Sequence, residues 1–392
     1  MDLVLNEEQE LLARTAREFV SGRSSLRRIR QLRDSNDADG FSRDLWREMA
    51  ALGWLGIVIP EEHGGAGLGS LEQMVVLEEM GRGLMPEPFL STVLLGANAL
   101  LLGGSAAQQK AHLPAVAAGE RLLTIAYQEA RSRYDHHRVE TKATKAGAGW
   151  QLAGEKIQVL DGHVADRLIV SARTGISTRT GISARTSGAD ARGITLFLLA
   201  PDTPGVTIER QSRIDGRNVA LVRLDDVRVD GDAIVGEVGG GGALLTRVFD
   251  RATIGLTAEM LGSMQAAFEM TTEYLKTRLQ FGVPIGSFQA LKHRAATLYI
   301  ELELARSAVM GAHRALDEGR DDATIARLAS LTKARSSDAF VLIGNECVQM
   351  HGGIGVTDEH DIGFFFKRAR VAEMTFGNAA WHRERTARLD GY

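Results

Sequence analysis

Apolar positions recur at helical spacing through the first third of the chain. In "NEEQELLARTAREFV", Asn6 is placed to cap a helix whose inner face carries Leu12, Ala16, Phe19 and Val20, with Leu11 at its edge. "RDLWREMAALGW" and "SLEQMVVLEEMGRGL" repeat the pattern, the second starting from Ser70. Between them, "GIVIPEEHGGAGLG" is a short apolar run broken by Pro60 and a glycine cluster, which predicts a loop open to close approach by another chain or a ligand.

From about Leu122 the period changes to short alternating or β-branched runs: "WQLAGEKIQVL", "DRLIVSAR", "GITLFLLA", "GVTIER" and "LVRLDDVRV". Such runs, separated by Gly, Pro and Asp, predict a β-barrel or sandwich. Within them "ARTGISTRTGISART" is a tandem of RTGIS, read as a strand-to-strand loop lengthened by duplication. Glycines 239–242 mark a return to helix, with four long amphipathic segments near 243–277, 287–317, 322–349 and 365–388. The expected organisation is α+β and multi-domain: a helical domain over 1–121, a middle β-barrel over 122–236 and a four-helix bundle over 237–392.

Composition narrows the function classes. Hydrophobic content of 44% and 24% charged residues are ordinary for a soluble globular chain. A net charge of -4 without a basic block gives no reason to expect a nucleic-acid partner. Cys347 is the only cysteine, which excludes an internal disulfide, and its apolar surroundings predict an inert thiol. No basic leader precedes an apolar core, and no apolar run reaches the roughly 18 residues of a membrane span, so a cytoplasmic address is expected.

Candidate chemistry begins at "RLQFGVPIGSFQALKHR". Arg278 is expected to end one helix, with the next starting near Ser287, which sets a guanidinium beside a helix N-terminus; both favour phosphate oxygens. In "VQMHGGIG", Gly352 and Gly353 free a backbone for close approach beside the Gln349 amide. Each feature alone also reads structurally, Arg278 as a helix-dipole charge and the glycine pair as a helix C-cap. His351, His360 and His382 lack compact metal-ligand spacing, and no metal is expected.

In chain order, "IPEEHGGAGLG", a β region, "TRLQFGVPIGSFQALKHR" and "QMHGGIG" resemble the acyl-CoA dehydrogenase flavoprotein family over essentially the whole chain. That resemblance implies an N-terminal helical domain, a middle β-barrel and a C-terminal four-helix bundle. It further implies FAD, an acyl-CoA substrate, a tetramer built as a dimer of dimers, and an electron-transfer flavoprotein as acceptor. The implied reaction is α,β-dehydrogenation, in which a carboxylate removes the α-proton and flavin accepts a hydride. By the resemblance, Arg278, Gln280 and Phe281 contact the FAD pyrophosphate and adenosine, with Gln289 at the start of the next helix. Gln349, His351, Gly352 and Gly353 match the second FAD cradle, and both elements reach a flavin held mainly by the neighbouring subunit.

The residues for the chain's own flavin depart from the family pattern. Where the family carries a T-E-P-x-x-G-S-D type loop, this chain has "AYQEARSRYD"; where it carries a Trp and a Thr, Gln158 and Leu160 stand. Phe376 precedes Gly377 at the position of the commonest catalytic glutamate. At the alternative position in "VFDRAT", matching leaves either Ala252 or Asp250 in the base's place, and Asp250 is the expected base, with a structural ion pair to Arg251 or Arg247 as the competing reading. Glu259 and Glu373 are weaker alternatives. Intact motifs for a neighbour's flavin beside altered motifs for its own resemble the α2β2 acyl-CoA dehydrogenases, above all the small subunit of pimeloyl-CoA dehydrogenase. This leaves open an active subunit, a silent structural partner, or an active homotetramer with an atypical pocket.

Overall fold

The computed structural model describes residues 4–175 and 191–392. Most of the RTGIS tandem falls outside the described residues. The N-terminal part is helical: α1 (Glu7–Arg23), α2 (Leu26–Asp34), α3 (Arg43–Ala51), α4 (Ser70–Arg82), a π-helical stretch Leu90–Ala97 running into α5 (Asn98–Gly103), and α6 (Ala106–Ala117). Asn6 caps α1 by accepting from the Gln9 amide at 2.8 Å while the Gln9 side chain accepts from the Asn6 amide, a reciprocal capping box. Ala16 and Val20 bury as the spacing predicts.

The middle part is an eight-stranded sheet, formed by β1 (Leu123–Ala126), β2 (Lys142–Ala146), β3 (Gly149–Leu160), β4 (Arg167–Arg173), β5 (Ile194–Leu199), β6 (Val206–Ser212), β7 (Asn218–Val229) and β8 (Ile234–Val235). Pairing runs β6-β7-β3-β2-β4-β5-β8, and β1 adds to β4 in parallel with Ile125 opposite Ile169. On β4, Leu168 and Val170 enter one apolar cluster while Ile169 enters the other, so the strand reads as a continuous hydrophobic run buried on both faces.

Helix then returns: α7 (Gly241–Thr277), a small hairpin of β9 (Leu279–Gln280) and β10 (Val283–Pro284), α8 (Gln289–Asp317), α9 (Asp322–His351), α10 (Ile362–Met374) and α11 (Ala379–Leu389). The corner between α7 and α8 holds a small hairpin, with Val283 paired to Gln280 and Pro284 to Leu279. One expectation needs correcting here: the segment near 365–388 is not one helix. It divides at Thr375–Asn378, because Phe376 (φ 61°) and Gly377 (φ 116°) leave helical backbone and Asn378 caps α11 by accepting from the Trp381 amide at 3.0 Å.

The N-terminal helices and the bundle share one core. Helices α4 and α7 pack backbone to backbone at a pair of glycines: a Cβ on Gly81 would lie 2.0 Å from the Glu259 carbonyl oxygen, and one on Gly262 1.7 Å from that of Glu78. A buried ionic network joins the three parts. Arg368 of α10 donates to Asp215 (2.9 Å) and Glu259 (3.0 Å), while Arg217 donates to Glu259 (2.7 Å) and to the Met85 carbonyl (2.9 Å). Among the described residues no helix is long and apolar enough to cross a membrane.

Candidate active site

Where the sheet meets α7, α10 and α11, the chain encloses a cavity of about 480 Å³. Tyr127, Gln158, Leu160 and Arg213 line it from the sheet side, Phe249, Asp250 and Thr253 from α7, and Phe376, Trp381, His382 and Arg385 from the C-terminal elements. Its wall is aromatic: Phe249 has ring centroids of Tyr127, His136 and Phe376 at 4.4, 5.0 and 5.2 Å. Arg133 and Tyr134 also line it, with the Tyr134 ring 6.2 Å from Trp381.

Asp250 lies on this wall, buried, and it is engaged. Arg385 donates to both of its carboxylate oxygens, at 2.9 Å from Nη2 to Oδ2, and Arg385 also donates to Ser330 Oγ at 3.1 Å. Burial pushes the Asp250 carboxyl up from the usual carboxylate range, against the opposing pull of Arg385. The ion pair therefore forms with a residue 135 positions on, whereas Arg247 pairs with Asp322 at 3.1 Å. Glu259 is held inside the ionic network, and Glu373 faces Arg370 at 3.5 Å. His382 is buried with neither ring nitrogen hydrogen-bonded among the described residues, and burial holds its imidazole neutral, down to about 2.

The turn that carries Phe376 is fixed from beneath. The Lys333 amine, buried inside α9, donates to the carbonyls of Glu373 (3.0 Å) and Gly377 (2.8 Å) and lies 2.9 Å from Ser337 Oγ. Burial lowers this lysine to about 7. No sequence signal marks it, since the acceptors are backbone groups forty residues away.

The residues singled out for FAD form a second locus on the outer surface. Phe281 (φ 54°) and Gly282 (φ 78°) both take left-handed backbone, as the two central residues of a tight hairpin turn require. The turn lifts the Phe281 ring to 91% exposure, edge-on to Phe288 at 6.0 Å. Arg278, Gln280 and Gln289 are exposed, and the Arg278 guanidinium has no hydrogen bond or ion pair among the described residues. Tyr274, one helical turn before Arg278, stacks on His351 at 4.5 Å, which brings the base of this arm and the end of α9 onto one surface. There Gln349 is exposed, a Cβ on Gly352 or Gly353 would meet nothing within 4 Å, and Gly352 takes φ 65°. His351 Nδ1 donates to the Cys347 carbonyl at 2.7 Å, and because burial favours the neutral ring, Nε2 is left a buried acceptor with no hydrogen-bond partner among the described residues.

These two loci fit a flavin dinucleotide unequally. The outer one offers an unpaired guanidinium, an exposed ring, an open glycine backbone and an orphaned imidazole nitrogen, a set suited to a pyrophosphate with its nucleoside. The inner one offers Leu160 where a hydroxyl donor would serve, and the bulk of Arg133 and Tyr134 where close backbone approach is needed.

Matches to family models agree with this architecture. Residues 6–120 match the acyl-CoA dehydrogenase N-terminal domain, and residues 239–389 match the acyl-CoA dehydrogenase C-terminal domain. Acyl-CoA dehydrogenase FadE27 of Mycobacterium tuberculosis is 30% identical over 353 residues, covering 89% of this chain and 88% of the relative. The chain belongs to the acyl-CoA dehydrogenase family. Among solved structures it is similar to a variant of the Tcur3481–Tcur3483 steroid ACAD (31% identity, TM-score 0.85, covering 98% of each chain). It is also similar to the ChsE4–ChsE5 complex from Mycobacterium tuberculosis (29% identity, TM-score 0.87, covering 100% of each chain).

Proposed function

We propose that this chain is a subunit of a hetero-oligomeric, FAD-dependent acyl-CoA dehydrogenase and that it completes a flavin site held mainly by a neighbouring chain. The observation that supports this reading is the contrast between the chain's two loci. Arg278, Gln280, Phe281, Gln289, Gln349, Gly352 and Gly353 are exposed, and the His351 ring is buried behind them against Tyr274. The inner cavity instead closes on its own aromatic side chains, with Phe376 before Gly377 and the Asp250 carboxylate tied to Arg385.

FAD bound there would supply the hydride acceptor for oxidation of an acyl-CoA between its α and β carbons. This chain's residues bind and orient: Arg278 forks the pyrophosphate oxygens, Phe281 gives the nucleoside a face, and the Gly352–Gly353 backbone admits close approach. Both two-component neighbours above favour a mixed assembly. An electron-transfer flavoprotein is the acceptor in this reading.

A second reading makes Asp250 the base of an active site in this chain. It is favoured by the position of Asp250 on the cavity wall and by the burial that raises its carboxyl. Expression alone and with a partner chain separates the two. The proposed subunit is colourless alone and becomes yellow on co-assembly, and Asp250→Asn leaves turnover of the assembly intact. Yellow protein from this chain alone, bleached by an acyl-CoA and silenced by Asp250→Asn, would overturn the proposal.

A further inference from the structure

The cavity that fits flavin poorly has a chemistry of its own. Four arginines line it, Arg133, Arg213, Arg370 and Arg385, against one carboxylate, Asp250, which Arg385 already engages. Arg370 faces Glu373. Arg133 is exposed, and Arg213 differs in being buried with no hydrogen bond to a carboxylate among the described residues. Its side chain is only 14% exposed, and its Nε is buried without a hydrogen bond among the described residues. The Asp215 carboxylate forms a long ion pair with that Nε, 3.8 Å through Oδ1, while its Oδ2 accepts from Arg368 at 2.9 Å, and the bond from Arg213 Nη2 to Thr375 Oγ1 is long at 3.4 Å.

A buried guanidinium with an unfilled Nε donor is therefore set into an apolar, ring-lined chamber. Guanidinium donors are best satisfied by the paired oxygens of a carboxylate. Tyr127 lines the same chamber and brings a phenol O–H that can donate. The volume of about 480 Å³ is that of a small-molecule site. A flavin ring distributes its acceptors along a whole edge, whereas this chamber presents a buried guanidinium whose carboxylate neighbour stands 3.8 Å away without a hydrogen bond.

We infer that this cavity binds an aromatic carboxylate, its acid group on Arg213 and its ring among Tyr127, Phe249, Phe376 and Trp381. The inference concerns the inner cavity alone and stands or falls separately from the outward FAD arm.

The test uses the full chain, with 2-naphthoate and the uncharged 2-naphthamide as probes, followed by calorimetry. The acid is expected to bind at least tenfold more tightly than the amide on the unmodified chain. Arg213→Gln removes that preference and leaves the amide unchanged, and Tyr127→Phe weakens the acid severalfold. Trp381 lies in the wall, so the accompanying change in tryptophan fluorescence is lost in Trp381→Phe. Equal binding of acid and amide by the unmodified chain overturns the inference and needs no variant to fold. So does a fluorescence change that survives in Trp381→Phe, or displacement of the acid by riboflavin at lower concentration.

Discussion

Lys333 and Gly377 are joined by a hydrogen bond of 2.8 Å from a fully buried amine to a backbone carbonyl, and that bond holds the turn on which Phe376 enters the cavity. Burial sets the folded-state amine at about 7, below the 10.5 of an ordinary lysine. Between those values the unfolded chain binds more protons than the folded one, so this residue's contribution to stability rises with pH. Relative to Lys333→Met, the natural chain should gain about 2 kcal/mol from pH 7 to pH 9. Urea midpoints of both proteins at the two pH values measure it, and parallel shifts would refute a lowered lysine.

The Asp250–Arg385 pair should behave as a coupled unit. Arg385→Ala strands a buried carboxylate and should cost about 3–5 kcal/mol. Asp250→Asn leaves an arginine that keeps Ser330 and is the more exposed partner, so it should cost less. A double-mutant cycle on denaturant stability is expected to return more than about 1 kcal/mol of coupling.

At the hairpin, stability and binding should separate. Phe281→Gly relieves left-handed strain but adds freedom to the unfolded chain, so stability should change by less than about 1 kcal/mol. FAD retention by the co-assembled protein should fall at least tenfold, and Arg278→Ala should act in the same direction. Gel filtration with flavin absorbance reads both.

Cys347 is 0% exposed and its thiol is pushed up to about 12 by burial. Its reaction with a disulfide reagent at pH 8 should be slowed more than about a thousandfold until denaturant is added. Fast labelling of the native chain would contradict the packing around it.

Local signals carried much of the fold. Asn6 and Gln9 announce a capping box three residues apart, and the long runs of α7, α8 and α9 declare their period. Strands β1, β2 and β8 did not stand out, because four, five and two residues give too few positions for alternation to register. The break after Met374 was written in Gly377 and Asn378, a stop signal beside a cap, yet the apolar period on both sides concealed it. At the candidate site, the outward residues were legible because motif and neighbours are contiguous. Arg385, Arg213 and Lys333 were not, since each takes its meaning from groups folded against it from distant segments.

The salt network of Arg217, Glu259, Arg368 and Asp215 has a consequence for how anything enters the inner cavity. Clamshell opening would have to tear buried charges apart, at a cost no modest ligand could offset. The frame around the cavity is therefore braced by ion pairs drawn from three distant stretches of the chain.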